Sequence, residues 1–218
     1  DYQMRYREEL PLVLKNVNLT ITANSKVGVV GRTGSGKSSL TVGLFRLVEP
    51  SGGQIIIDGV DISSIGLNDV RGAISCIPQD PVLFSGSIRS NLDPFHKKTD
   101  AQIWNALEKA AMKKTVEGMG GLKCAVNEGG ENFSVGQRQL LCLARALLKE
   151  TSILVMDEAS ASIDVENDAI LQKTIREVFK DNCTVITIAH RLLSIADSDY
   201  ILVMDDGHVA EYAPPSEL

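Results

Sequence analysis

Basic charge is scarce in this sequence of 218 residues: Lys and Arg number 22 against 28 Asp and Glu. The resulting net charge of -6 is repelled by nucleic acid backbones, so only a local basic patch would bind one. Cysteine is sparse too. Cys76, Cys124, Cys142 and Cys183 are widely spaced with no C-x-x-C pair, and the first and third sit in apolar runs, which argues for a reducing compartment. Long hydrophobic runs are missing: Arg145 interrupts the longest candidate, Leu140 to Leu148, well short of the roughly 18 residues needed to span a bilayer. The chain itself is therefore expected to lie outside the membrane. Asp1 to Leu10 mixes charges of both signs without an apolar core, so no signal peptide is read there. With Asp1 in place of a starting Met, the sequence reads as a piece of a longer polypeptide. Neither low complexity nor an internal repeat is visible, and 44% hydrophobic with 23% charged residues fits one sizeable α/β core with room for a smaller subdomain.

What is present is concentrated first in Gly31-Arg32-Thr33-Gly34-Ser35-Gly36-Lys37-Ser38, between the apolar run Val27 to Val30 and a helix-like stretch from Ser39 through Leu47. The three glycines let successive N–H groups turn inward around a polyphosphate, and the following helix adds its positive end. Lys37 is placed to reach the outer phosphates as a point charge, and the Ser38 hydroxyl to ligate a magnesium ion held between them. This is the Walker A pattern, G-x-x-x-x-G-K-[ST].

Around it, Leu12 to Ile21 reads as a strand with Val13, Val17, Leu19 and Ile21 on one face, and a turn at Asn24-Ser25 leads into the Val27 strand. Tyr6, between Arg5 and Arg7, reads on its own as a surface residue. After the break at Glu49 to Gly53 come strands at Gln54 to Asp58 and Ala73 to Pro78, the latter ending at Gln79. Asp80-Pro81-Val82-Leu83-Phe84 is apolar for a loop, either folded onto its own core or serving as a docking surface. Asp100 to Met112 has helical spacing with Asp100 as its cap, and carries Trp104, the single tryptophan. Ser134, with Val135-Gly136-Gln137 behind it, caps a long helix reaching Leu148; its start suits either a plain cap or an anion. Ile153 to Met156 reads as a buried strand ending in Asp157-Glu158, carboxylates costly at such a tip without a cation or partner. Asp164 precedes a helix from about Asn167 to Phe179. Thr184 to Ile188 is the next strand, with His190 at its carboxyl end, where ligands gather in parallel sheets. Tyr200 to Met204 and His208 to Tyr212 form a hairpin around Asp206-Gly207.

Taken in this order, the cradle, Gln79, Ser134-Val135-Gly136-Gln137, Asp157-Glu158, Asp164 and His190 resemble the Walker A, Q-loop, signature, Walker B, D-loop and H-loop of the nucleotide-binding domain of an ATP-binding cassette (ABC) transporter. The resemblance covers essentially the whole chain. It implies an α/β P-loop NTPase core with a mostly parallel sheet, an N-terminal antiparallel β layer and an inserted helical subdomain carrying the signature. The expected bounds are residues 1–83 and 150–218 for the core and about 84–149 for the subdomain. It further implies that ATP and Mg2+ are bound, with Tyr6 stacked on adenine and Gly31, Arg32, Thr33, Gly34, Ser35, Gly36, Lys37, Ser38 and Ser39 around the phosphates. Ser38, Gln79 and Asp157 would serve the metal, Glu158 would polarise the attacking water, Lys37 would stabilise the γ-phosphate, and Gln79 and His190 would sense it. Ser134, Val135, Gly136, Gln137 and Asp164 would act across a head-to-tail dimer with a second cassette. The segment after Gln79 would face transmembrane domains, putting the domain on the cytoplasmic face of a membrane; no nucleic acid is expected as partner, and the isolated chain is expected to be monomeric.

More narrowly, Phe133 to Gln139, Ser90-Asn91-Leu92-Asp93-Pro94-Phe95 and Met4-Arg5-Tyr6-Arg7 look like the C-terminal cassette of multidrug resistance-associated proteins, subfamily C. Glu158 favours that hydrolytically competent cassette, since the N-terminal one usually has Asp there. The implied cargo is organic anions and drug conjugates. Val135 stands where the general signature has glycine, and Ala161-Ser162-Ile163-Asp164 departs from the usual Ser-Ala-Leu-Asp. Two rival functions follow from the same motifs: a regulatory cassette with negligible turnover, as in channel-regulating relatives, and a soluble ABC ATPase acting on DNA or ribosomes. Glu158 and His190 count against the first, and the ordinary domain sequence between Ser38 and Ser134 against the second.

Overall fold

Runs rich in branched apolar residues, without strict polar alternation, form the strands of a sheet covered on both faces. In the computed structural model, described over residues 1–149, 151–157, 165–179, 182–189 and 195–218, the chain runs through β1 (Tyr2–Met4), β2 (Leu14–Val17), β3 (Lys26–Gly31), α1 (Lys37–Leu44), β4 (Ile56–Ile57), β5 (Val60–Asp61), α2 (Leu67–Ala73) and β6 (Ile74–Ile77). It continues through β7 (Gly86–Ser87), α3 (Ile88–Leu92), α4 (Asp100–Lys109), α5 (Lys113–Gly118), β8 (Ala125–Val126), α6 (Val135–Lys149), β9 (Ile153–Asp157), α7 (Val165–Val178), β10 (Thr184–Ile188), β11 (Tyr200–Asp205) and β12 (His208–Ala213). Packing divides it into two units. The first holds Asp1–Ser75, β9 and the stretch from Asn182 to Leu218; the second holds Cys76–Thr151 and α7.

The main sheet has the order β12-β11-β3-β10-β9-β6. β3 pairs in parallel with both β10 and β11, β10 pairs in parallel with β9, and the terminal hairpin β11–β12 is antiparallel. The register sets the site. Ile188 lies opposite Val29 on one side and Asp157 on the other, so the carboxyl ends of β3 and β9 reach one edge of the sheet with β10 between them. Two strand spacings put these ends about 10 Å apart.

Against this sheet packs an antiparallel pair, β1 with β2. Tyr2, Met4, Leu14 and Val17 join Val27, Val29, Ile188, Leu202 and Met204 in one buried cluster. The strand expected over Leu12 to Ile21 is only Leu14–Val17, and Asn16 within it takes a positive φ of 51. The segment expected as a strand from Gln54 to Asp58 is a hairpin, β4 with β5, turned at Asp58 and Gly59, whose positive φ values of 50 and 82 suit a two-residue turn. A second cluster, Ile62, Val70, Ile74 and Val155, holds α2 to the sheet.

The second unit is mainly helical. α6 buries Leu140, Leu141, Cys142, Leu143, Ala144, Ala146 and Leu148, and its neighbours in this unit are α3, α4 and α7. α4 turns Ile103, Ala106 and Leu107 inward and carries Trp104, half-buried, with its ring edge toward Gly121. Its cap is Thr99 and not Asp100: the Thr99 hydroxyl accepts from Gln102 N while the Gln102 side chain accepts from Thr99 N, a reciprocal box that one carboxylate in the first turn does not make. No helix among the described residues is long and apolar enough to cross a membrane.

Candidate functional site

The loop from the end of β3 to the start of α1 has the features of an anion site. Gly36, at φ 104 and ψ 1, precedes α1 in the left-handed region, and no side chain caps the helix. Leu40 N is the donor that bonds back to Gly36 O, at 3.1 Å; the N–H groups of Lys37, Ser38 and Ser39 belong to the first turn, which lacks intrahelical carbonyls. Lys37 is 7% exposed, and its Nζ donates to Gly31 O at 2.8 Å and Arg32 O at 2.9 Å, holding the ammonium over the loop. Ser35 Oγ is buried with no hydrogen-bond partner among the described residues, a polar atom whose burial is unfavourable until something pairs with it. Arg32, Thr33 and Gly34 are exposed, and a Cβ at Gly34 would meet nothing within 4 Å, so the outer side of the loop has room. An ammonium and open first-turn N–H groups fit a polyphosphate.

Ser38 is exposed on the first turn of α1, and Asp157 is half-buried at the end of β9, at the same sheet edge. No cluster of three His, Cys, Asp or Glu that could hold a metal occurs among the described residues. This donor set suits magnesium bound through one carboxylate, a hydroxyl and substrate phosphate oxygens, the manner in which that ion is usually held. Glu158, Asp164 and His190 lie outside the described residues.

Tyr6 lies between β1 and β2, 47% exposed, with its hydroxyl 3.0 Å from Ser39 Oγ. The ring is thereby tied to the first turn of α1, a contact between residues 33 apart that no local pattern announces.

In the second unit, Gln79 is exposed, two residues beyond β6. Ser134 does cap α6. Its Oγ accepts from Gln137 N at 3.2 Å while its own N–H donates to Gln137 Oε1 at 3.0 Å. Val135 is half-buried, and Gly136 is buried where an added Cβ would come within 2.9 Å of Asn167 Cβ on α7. The apolar loop after Gln79 has two faces: Pro81 and Leu83 are buried, whereas Val82 is 51% and Phe84 68% exposed.

Sequence reading missed the residue that fixes this loop. Arg145 of α6 donates from Nη1 to Val82 O at 2.7 Å, from Nε to Asn91 O at 2.6 Å and from Nη2 to Asn91 Oδ1 at 2.7 Å. Asn91 in turn brackets the Phe84 backbone, accepting from its N–H at 2.8 Å and donating to its carbonyl at 2.7 Å. The arginine had registered only as an interruption of an apolar run; a cation inside such a run is itself the signal that a buried partner exists.

Residues 14–161 match the family described as ABC transporter. Over 219 residues the chain is 60% identical to ATP-binding cassette sub-family C member 2 of Mus musculus, and over 216 residues 58% identical to ABC transporter C family member 8 of Dictyostelium discoideum. These alignments cover 100% and 99% of this chain but 14% of each relative's length. A solved structure of a bacterial Atm1-family ABC exporter with ATP bound superposes with a TM-score of 0.91 at 34% identity, over 99% of this chain and 38% of that one. The chain belongs to the ABC transporter family.

Proposed function

We propose that this chain is the ATP-binding and ATP-hydrolysing motor domain of an exporter, in which binding and hydrolysis of Mg-ATP drive transport of organic anions or drug conjugates. The observation that carries the reading is the start of α1: Lys37 over the loop and first-turn N–H groups without intrahelical acceptors, with Asp157 at the same sheet edge. Residues 1–83 and 150–218 form its catalytic core and about 84–149 its helical subdomain.

In this reading Tyr6 stacks on adenine, and residues Gly31 through Ser39 enclose the phosphates. Ser38 and Asp157, with Gln79, would hold Mg2+, which would supply positive charge against the negative charge of the phosphate oxygens. Glu158 orients and polarises a water whose oxygen bonds to the γ-phosphorus as the bond to the β–γ bridging oxygen breaks, giving ADP and inorganic phosphate. Lys37 stabilises the transferring group, and Gln79 and His190 sense it. Ser134, Val135, Gly136, Gln137 and Asp164 serve the nucleotide of a second cassette in a head-to-tail dimer, so the isolated chain is monomeric and hydrolyses slowly. Val82 and Phe84 face the transmembrane domains at the cytoplasmic side. Glu158 supports the second, hydrolytically competent cassette of a subfamily C protein.

Calorimetry with Mg-ATP and a phosphate-release assay on the unmodified chain and on Glu158→Gln test this. The substitution keeps size and hydrogen bonding while removing the charge, so affinity is expected to stay within about twofold while residual turnover falls by on the order of 100-fold. Undiminished turnover would remove Glu158 from the reaction and bring a different base, or a nucleotide-sensing role, to the front.

A further inference from the structure

The inner side of the phosphate loop is walled by backbone from three distant places. Met204 O of β11 lies where a Cβ of Gly31 would stand, Val13 O is 3.2 Å from the Cβ position of Gly36, and Gly207 Cα is 3.5 Å from that same position. Between β11 and β12 the chain turns at Asp206, φ 43, and Gly207, φ 80, the pair of left-handed residues that a two-residue hairpin requires. Gly207 N donates to Ser35 O at 3.0 Å. The turn is itself fastened to the start of β2. Gly207 O accepts from Lys15 N at 2.8 Å, and Lys15 Nζ pairs with Asp206 Oδ2 at 2.8 Å. That hydrogen bond from Lys15 holds the Asp206 carboxyl below the usual carboxylate range.

A loop that points its N–H groups at a ligand has few internal bonds left to define it, and from Arg32 to Gly36 the loop's own backbone supplies one, Ser35 N to Arg32 O at 3.1 Å. The Gly207 bond is the external constraint on its middle. We infer that the Asp206-Gly207 turn is a positioning element of the phosphate loop: the Gly207 N–H fixes the Ser35 carbonyl, which holds the middle of the loop so that the first-turn N–H groups of α1 stay directed to the phosphates. Gly207 has no substitute at this place. A Cβ there would lie 2.5 Å from Val13 O, on a backbone at φ 80. The inference rests on the reading of this loop as a polyphosphate site.

Two measurements on the 218-residue chain test it, with Mg-tripolyphosphate as the probe because it carries no base. In the unmodified chain, saturating Mg-tripolyphosphate should slow amide exchange at Gly207 at least tenfold, because the loop opens less often when occupied. In Gly207→Ala, titrated at a temperature where circular dichroism shows the fold retained, affinity for tripolyphosphate and for ATP should fall by the same factor, on the order of tenfold. A purely structural role would lower the melting temperature and leave the affinity of the folded protein unchanged. Unchanged affinity in folded Gly207→Ala, or unchanged Gly207 exchange on binding, overturns the inference. Should the variant not fold, the exchange measurement on the unmodified chain decides alone. A separate outcome, no binding of tripolyphosphate or ATP by the unmodified chain, sinks the polyphosphate reading itself and the inference with it.

Discussion

The chain starts two of its helices behind glycine-bearing motifs, α1 behind Gly34-Ser35-Gly36 and α6 at Ser134-Val135-Gly136, and it finishes the two starts differently. At α1 the residue before the helix is a left-handed glycine with no capping side chain. At α6 Ser134 and Gln137 satisfy each other's backbone N–H groups. An anion can therefore meet the start of α1 without displacing anything, whereas at α6 it competes with a formed capping box worth about 1 kcal/mol. The glycines differ in the same way: Gly36 is required by its backbone angle, Gly136 by the approach of Asn167. One start is left without a cap and the other is closed by its own side chains.

The largest effect expected from breaking this contrast is at Lys37. Its ammonium is the charge held over the open start, and charge-assisted hydrogen bonds are worth about 1.5–3 kcal/mol each, so Lys37→Ala should weaken Mg-ATP binding by on the order of 10- to 100-fold in a calorimetric titration. Gly136→Ala comes next, and through stability. A Cβ forced against the Asn167 side chain, its Cβ included, should cost about 1–3 kcal/mol in chemical denaturation, with ATP affinity of the isolated chain unmoved. Ser134→Ala removes the hydroxyl half of the capping box, so about 1 kcal/mol of stability should be lost, a fall of about 2–4 °C in melting temperature, again without change in ATP affinity. The smallest effect is at Tyr6: Tyr6→Ala should cost about 1 kcal/mol of ATP affinity through lost stacking, and Tyr6→Phe, which keeps the ring and loses only the Ser39 bond, less than half of that. Equal affinity of Tyr6→Ala and the parent would remove the adenine assignment.

Much of what depends on neighbours in sequence was legible in the sequence, although the Thr99–Gln102 box and the Asp58-Gly59 hairpin, equally local, were not. β10 runs over Thr184–Ile188 as its branched residues indicate, the Asp206-Gly207 turn joins β11 to β12, and the Walker spacing marks the turn from β3 into α1. The capping role of Ser134 was equally readable, from a serine three residues ahead of a glutamine. Most of what else escaped depends on partners distant along the chain or on very short elements. β1 is three residues, too few to display a period, and is held by β2 and by burial of Tyr2 and Met4. Tyr6 with Ser39, Arg145 with Asn91, and Gly136 with Asn167 are each pairs that only the tertiary fold brings together. The apolar loop after Gln79 allowed two readings because successive extended residues face opposite ways: Pro81 and Leu83 inward, Val82 and Phe84 outward.

The contrast between an open and a conditional helix start is tested most directly by titrating the isolated chain with Mg-ATP while following backbone amide resonances at both. The N–H signals of Lys37, Ser38 and Ser39 should shift to saturation with the calorimetric affinity, while those of Ser134 and Gln137 stay in place and keep their protection from exchange. Shifts at Ser134 and Gln137 in the isolated chain, with Lys37 to Ser39 unmoved, would contradict the account.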